Sequence, residues 1–220
     1  MPGVKAGLRA ERAAAPRPKR SAPRRHGKRI GLLGGSFNPA HEGHLHISRE
    51  ALARLRLDEI WWLVSPQNPL KPARGMAPLE TRLGVARAVA RHPRIRVTAI
   101  EAELGTTYTA ETLRRLTIRF PAHRFVWLMG ADNLIQIPRW RDWRAIFAAV
   151  PVAVFARPAY SLRALASVAA RRFASARIPG SAAGALADMR PPAWAFLRIR
   201  LSAASATAIR ARRQGRESRD

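Results

Sequence analysis

Three histidines, His41, His44 and His46, fall within six positions just after the pair Gly34–Gly35, although the chain holds six histidines in all. Two chemistries suit such a cluster. Zinc binding of the H-E-x-x-H kind needs a second histidine four residues after the first. In "HEGHLH" that position is Leu45, so the spacing fails, and His41 with His44 lacks an evident third ligand. Phosphate binding suits the residues better. Gly34 and Gly35 would let backbone N–H groups approach a ligand closely. A helix expected from about Gly43 would offer free N–H groups and the positive end of its dipole. His41 and His44 share a face of its first turn, and two imidazoles can each donate to phosphate oxygens. No G-K-[ST] follows, so this is not a P-loop. The plainer alternative, histidines that only cap and decorate a surface helix, is sufficient for His46.

Something must hold that turn in place, and the surrounding pattern says what. "RIGLLGG" (29–35) reads as a buried strand running into a glycine turn, followed by a helix over 43–56 with Leu45, Ser48, Leu52 and Leu55 at helical spacing. Further strands are expected at 59–65, 95–100, 124–130, 151–157 and 195–201. Helices are expected from Pro78 to about Arg91, over 109–120 with Thr107 or Thr109 as cap, in "ADNLIQI" and "WRDWRAIFAA", and over 205–214. Residues 66–75 read as a proline-rich loop, and 158–190 show little periodicity. Strands alternating with helices predict an α/β fold: a doubly wound parallel sheet of Rossmann-like type with helices on both faces. In such sheets ligands sit at the carboxyl ends of the strands, where the histidine turn falls.

Composition narrows the rest. There are no cysteines, which excludes disulfides, thiolate metal sites and cysteine nucleophiles. The formal net charge is +26, and of 40 basic residues only four are lysines, at positions 5, 19, 28 and 71. Such a charge attracts polyanions in general. Residues 1–28 carry nine basic residues and one acid without a following apolar stretch, so they read as a disordered basic tail rather than a secretory signal. The domain is expected over 29–214, with a charged tail at 215–220, in a cytoplasmic protein; Lys71 would then be the lysine of the folded body. No apolar run approaches the roughly 20 residues of a membrane helix.

"GGSFNPAHEGH" resembles the G-[ST]-F-[DN]-P-x-H-x-G-H signature of the nucleotidyltransferase superfamily. "SPQNPLK", "TTYTAETL", "FVWLMGADNL", "RWRDWRAIF" and "SATAIR" resemble, in order, segments of bacterial nicotinate-nucleotide adenylyltransferases, so the likeness spans residues 30 to 213. The resemblance implies adenylyl transfer from ATP, with Mg²⁺, to nicotinate mononucleotide, giving deamido-NAD and pyrophosphate. It implies His44 nearest the α-phosphate and His41 toward the β-phosphate. It also places Gly34, Gly35, Ser36, Phe37, Gly130, Asp132, Arg157, Ser205, Thr207 and Arg210 around ATP, with Lys71 reaching the triphosphate as a point charge. Ser205 would cap the closing helix, and Arg210 would supply a charge-assisted fork.

The last motif departs from the family's [IV]-S-[ST]-T-x-[IV]-R by having Ala206 at its middle hydroxyl. Asp132 would accept from ribose hydroxyls or cap the helix after it. Thr107, Tyr108 and Thr109 would donate to the acceptor's carboxylate, and Trp140 would stack on its pyridine ring; Trp143 is expected to be core. Mg²⁺ would be held by phosphates and water rather than by side chains. The rival acceptors are nicotinamide mononucleotide and phosphopantetheine, and "TYT" and "RWRDW" argue against the latter. A non-catalytic basic nucleic-acid-binding protein is the rival of another class; otherwise nucleic acid is expected to meet only the basic tail, and no membrane partner is expected.

Overall fold

The computed structural model describes residues 27–66 and 75–200. Seven strands form one wholly parallel sheet: β1 (Arg29–Gly35), β2 (Glu59–Val64), β3 (Ile95–Thr98), β4 (Arg124–Gly130), β5 (Val152–Phe155), β6 (Arg177–Ile178) and β7 (Trp194–Leu197), in the order β3-β2-β1-β4-β5-β7-β6. The apolar runs of β1, β2, β4, β5 and β7 are nearly continuous because both faces are covered, as inner parallel strands require. Leu33, Trp62, Val64, Leu128 and Phe155 point into one core, with α1 (Glu42–Arg54) and α2 (Leu79–Val89) over them. Leu32, Leu63, Trp127, Met129 and Val154 point into the other. That second core is covered by α4 (Thr109–Arg119), α5 (Ala131–Gln136), α6 (Trp143–Ala149) and α8 (Val168–Arg172). The doubly wound sheet is the architecture expected.

The chain leaves β1 on one side for β2 and β3, and later returns to its other side for β4 and β5. The strand order therefore reverses between β1 and β4, and the crevice outside their carboxyl ends is the topological switch point. The glycine pair closing β1 and Gly130 closing β4 both stand there.

Several expectations change in detail. The third strand ends at Thr98, where the short α3 (Ile100–Glu103) begins. The aperiodic stretch 158–190 holds α7 (Ser161–Leu165), α8, the two-residue β6 and a 3₁₀ segment over Gly180–Asp188. Elements of two to five residues are too short to print a period on the sequence, and the nine-residue 3₁₀ segment does not follow the 3.6-residue period of an α-helix. Neither Thr107 nor Thr109 caps α4: its N-cap is Tyr108, which makes no side-chain cap bond, and Thr109 is already helical. Lys28, expected in the tail, belongs to the folded body. Its carbonyl accepts from the Arg124 N–H (2.9 Å), its N–H donates to His123 Nδ1 (3.2 Å), and its ammonium pairs with Glu59. Residues 1–26, Lys71, Ser205, Ala206, Thr207, Arg210, the expected closing helix and the C-terminal tail lie outside the described residues.

Candidate active site

The histidine turn is a capping box made by two histidines. His41, in extended backbone, is the N-cap of α1, and its Nδ1 accepts from the Gly43 N–H (3.1 Å). His44 closes the box: its Nδ1 accepts from the His41 N–H (3.2 Å). Capping boxes are ordinarily built from Ser or Thr with Glu or Gln three residues on. Here the same geometry has a chemical consequence. An imidazole whose Nδ1 accepts a hydrogen bond carries its neutral-form proton on Nε2. Both rings are thereby fixed as Nε2–H donors, with centroids 3.9 Å apart.

Burial keeps the pair from becoming doubly charged. His41 is buried, and that burial, with the nearby Arg157 cation, lowers its pKa to about 4. His44 rests on Phe37 (centroids 4.7 Å), which stacks on Trp62 (5.1 Å). Phe37 sits at positive φ and is 2% exposed, so its ring serves as the floor under His44 and does not face a ligand. Trp62 donates to Ser48 Oγ (2.8 Å), which donates to the His44 carbonyl (2.8 Å), so β2 also holds the turn. His46 lies elsewhere, with Nε2 donating to the Arg200 carbonyl (2.6 Å).

Arg157, just past β5, lies with its Nε 3.2 Å from Asp132 Oδ1, and their charges meet beside Gly130. A Cβ at Gly130 would stand 2.4 Å from that carboxylate and 2.7 Å from the guanidinium, so the position admits only glycine while the pair stays put. Asp132 caps nothing: the N-cap of α5 is Gly130, without a side-chain bond. Arg157 thus pairs with Asp132 and places a positive charge near His41.

A second feature opens from the same strand ends. A cavity of about 370 Å³ is lined by Gly34 and Gly35, by Thr107, Tyr108 and Thr109 at the start of α4, and by Trp140, together with Ser65, Glu101, Trp127, Arg139 and Arg141. All four residues expected to hold the acceptor therefore meet in one place. Gly34 is needed for a reason other than ligand approach: a Cβ there would stand 2.3 Å from the Trp127 ring. The Trp127 Nε1 is buried without a hydrogen-bond partner. Arg141 lies over the Tyr108 ring (4.7 Å to the centroid). Trp143, as expected, is packed edge-on to Phe147 and Phe173 in the core.

Sequence reasoning missed Arg139, Arg141, Trp127, Glu101 and Arg82. The two arginines beside Trp140 stand in "RWRDW", where the roles expected fell on Trp140 and Trp143 alone. Arg82 gave no signal, since it looks like one more arginine of a basic helix. It is 2% exposed and its guanidinium donates to four carbonyls, those of Ser36 (2.8 Å), Ser65 (2.6 Å), Pro66 (2.8 Å) and Ala77 (2.8 Å). It ties together the loops that leave β1 and β2. Among the described residues, no group of three or more His, Cys, Asp or Glu could hold a metal ion. No described helix is long and apolar enough to cross a membrane.

Comparison with known proteins bears on this geometry. Residues 32–212 match the family model described as cytidylyltransferase-like. The chain is 58% identical over 182 residues to the probable nicotinate-nucleotide adenylyltransferase of Cereibacter sphaeroides, covering 83% of this chain and 96% of that one. It is 57% identical to that of Methylorubrum extorquens, covering 84% and 100%, and 55% identical to that of Parvibaculum lavamentivorans, covering 84% and 92%. In fold it is similar to Plasmodium falciparum nicotinic acid mononucleotide adenylyltransferase complexed with NaAD, with a TM-score of 0.63 at 16% identity over 84% of this chain and 83% of that one.

Proposed function

The chain belongs to the nicotinate-nucleotide adenylyltransferase family, and from that premise we propose how its two neighbouring features carry out the reaction. The enzyme transfers the adenylyl group of ATP to nicotinate mononucleotide, forming deamido-NAD and releasing pyrophosphate. The reaction is an in-line displacement at the α-phosphorus. The attacking oxygen belongs to the mononucleotide phosphate, and pyrophosphate leaves. No covalent enzyme intermediate is needed, so the protein contributes alignment and stabilisation of developing charge.

The histidine turn is the proposed phosphate site. His44 Nε2–H donates to the α-phosphate and His41 Nε2–H toward the β-phosphate. Both donors are oriented before the substrate arrives, because their Nδ1 atoms are already engaged by backbone. Gly35, the backbone at Ser36 and the start of α1 border the triphosphate, and Arg157 adds positive charge beside His41. Asp132 is offered to the ATP ribose. Lys71, Ser205, Thr207 and Arg210 remain proposed triphosphate ligands on the strength of the sequence resemblance.

Mg²⁺ is proposed to enter with ATP. The groups described around the histidine turn are chiefly hydrogen-bond donors, which match phosphate oxygens and leave a hard cation to be held by phosphate and water. Bound there, it would offset charge on the triphosphate.

The cavity takes the acceptor, and its lining is the observation that carries the reading. Trp140 offers an indole for the pyridine ring. Thr107, the first N–H groups of α4 and the Arg139 and Arg141 guanidiniums offer donors for a carboxylate. The test is pyrophosphate release from ATP and Mg²⁺ with and without nicotinate mononucleotide. Release that depends on the mononucleotide is expected, and release that ignores it would overturn the assignment of the cavity.

A further inference from the structure

The acceptor cavity contains a buried carboxyl group that the transfer described above does not use. Glu101, on α3, is 5% exposed and lines the cavity. Its Oε1 accepts from Thr112 Oγ1 (3.3 Å), the Thr112 and Thr106 hydroxyls are 2.9 Å apart, and the Thr106 N–H donates to the Glu101 carbonyl (2.9 Å). These bonds knit α3 to the start of α4, and a purely structural role would end with them. They leave Oε2 unexplained, because it is buried without an aligned hydrogen-bond partner. Trp127 Nε1, which belongs to another wall of the same cavity, is in the same condition. Buried polar atoms are seldom left so unless a ligand or a function accounts for them.

The surroundings bear on the group's charge. Arg139 and Arg141 line the cavity from the segment before α6, and Tyr108 lines it from the N-cap of α4. Among the described residues none of these is ion-paired with Glu101: Arg141 lies over Tyr108 and reaches Asp142 (3.8 Å). On α4, Glu111 is occupied by Arg115 (2.6 Å). On β2, Glu59 is occupied by Lys28, and just past its end Ser65 lines the cavity. On its own helix, Glu103 faces a separate cavity with Arg96, Arg119 and His123. Burial therefore dominates and raises the Glu101 pKa to about 7, against the opposing pull of the Ser65 and Thr112 hydroxyls.

The single Thr112 hydroxyl proton is shared between Glu101 Oε1 (3.3 Å) and the Tyr108 carbonyl (3.2 Å); placed on Oε2, the oxygen without a partner, the proton of the neutral acid turns that acceptor into a donor. Two residues of the cavity lining then carry buried donors without a protein partner, Glu101 Oε2–H and the Trp127 N–H. A ring carboxylate satisfies donors, whereas a carboxamide brings its own NH₂ to them.

We propose that Glu101 is a specificity-determining residue for the acceptor: as a neutral acid it joins Trp127 in favouring an anionic ring substituent, and as a carboxylate it repels one. This rests on the adenylyltransferase reading and adds to it a residue and a proton. Substrate choice becomes linked to pH through the enzyme rather than through the substrate. The ring carboxylate stays ionised throughout, and the mononucleotide phosphate is common to both acceptors and cancels in their ratio.

The experiment measures KM for nicotinate mononucleotide and for nicotinamide mononucleotide from about pH 6 to about pH 8.5, with the unmodified enzyme and with Glu101→Gln. The acid-to-amide KM ratio of the unmodified enzyme is expected to rise by roughly tenfold across that range, as linkage to one ionising group requires. In Glu101→Gln, which is always neutral and always a donor, the ratio is expected to be flat. Should that variant fail to fold, calorimetry of the unmodified enzyme near pH 8, in buffers of different ionisation heat, replaces it, and uptake of close to one proton with the acid acceptor is expected. A flat ratio in the unmodified enzyme, an unchanged slope in Glu101→Gln, or binding without proton uptake would overturn the proposal. Intact turnover with a flat ratio defeats this inference alone, whereas absence of turnover with either mononucleotide defeats the function reading as well.

Discussion

The histidine turn and the acceptor cavity share the carboxyl end of β1, but they are built differently. In the turn, most of the supports come from the same short stretch: His41 and His44 cap the helix that carries them and Phe37 lies beneath, with Trp62 of β2 behind it. Every group there is held before a ligand arrives. The cavity draws its walls from β1, β2, α3, α4, β4 and the segment before α6, and two of its polar atoms have no partner. The contrast fits the two tasks. Charge developing on a phosphate is best met by dipoles that need not move. A site that chooses between two acceptors gains discrimination from groups that are satisfied only by the right one.

If the turn is the rigid part, its loss should be the costliest. His44→Ala removes a transition-state donor, worth a factor of about 10²–10³ in kcat. It also opens the capping box, which costs about 1 kcal/mol of stability. Turnover of the purified variant within a few-fold of the parent would break the proposed role of the turn.

Arg82 links the two regions, since its four carbonyl partners lie on the loops leaving β1 and β2 and on the approach to α2. Arg82→Met keeps the bulk and drops the donors. Stranding buried carbonyls should cost at least about 2 kcal/mol, read as a lower denaturant midpoint. KM for both substrates should rise with it. An unchanged midpoint would show that the loops hold their own shape.

Acceptor choice probes the cavity alone. A lining of donors should prefer the acid mononucleotide over the amide by at least about tenfold in kcat/KM, the worth of one mismatched hydrogen bond. Equal use of both would leave the phosphate chemistry standing and remove the selective role of the cavity.

An effect confined to acid pH, and absent near neutrality, is a stability change with pH. His41 is held neutral, with its pKa lowered from the ordinary 6.5 to about 4 chiefly by burial. The stability contributed by the neutral ring is therefore present in full above about pH 6.5 and is lost as pH falls through about 4. His41→Asn retains a good N-cap residue and lacks the titration. Its stability should fall less steeply than the parent's over that window, by about 1–3 kcal/mol at the acid end. Parallel curves would mean that the ring is not held neutral.

Much of this molecule could be read directly from its residues because the relevant interactions are local. The apolar runs of β1, β2, β4 and β5, the glycines ending β1, and the pair His41 and His44 at a helix start are short-range patterns, and for the histidines their spacing favoured phosphate over zinc. The acceptor residues Thr107, Tyr108, Thr109 and Trp140 were reached by resemblance, since nothing in their spacing brings two segments thirty residues apart to one cavity. Only the tertiary structure decided the rest. It buried Arg82 among carbonyls, set Trp127 against Gly34, and put Arg157 beside His41. It also left one oxygen of the Glu101 carboxyl, Oε2, without a hydrogen-bond partner, in a residue that lines the cavity and whose pKa burial raises to about 7. Burial and partnership depend on what packs against a residue from distant parts of the chain, so an arginine among thirty-six or a glutamate in a short helix carries no mark of its role until the sheet has brought those parts together.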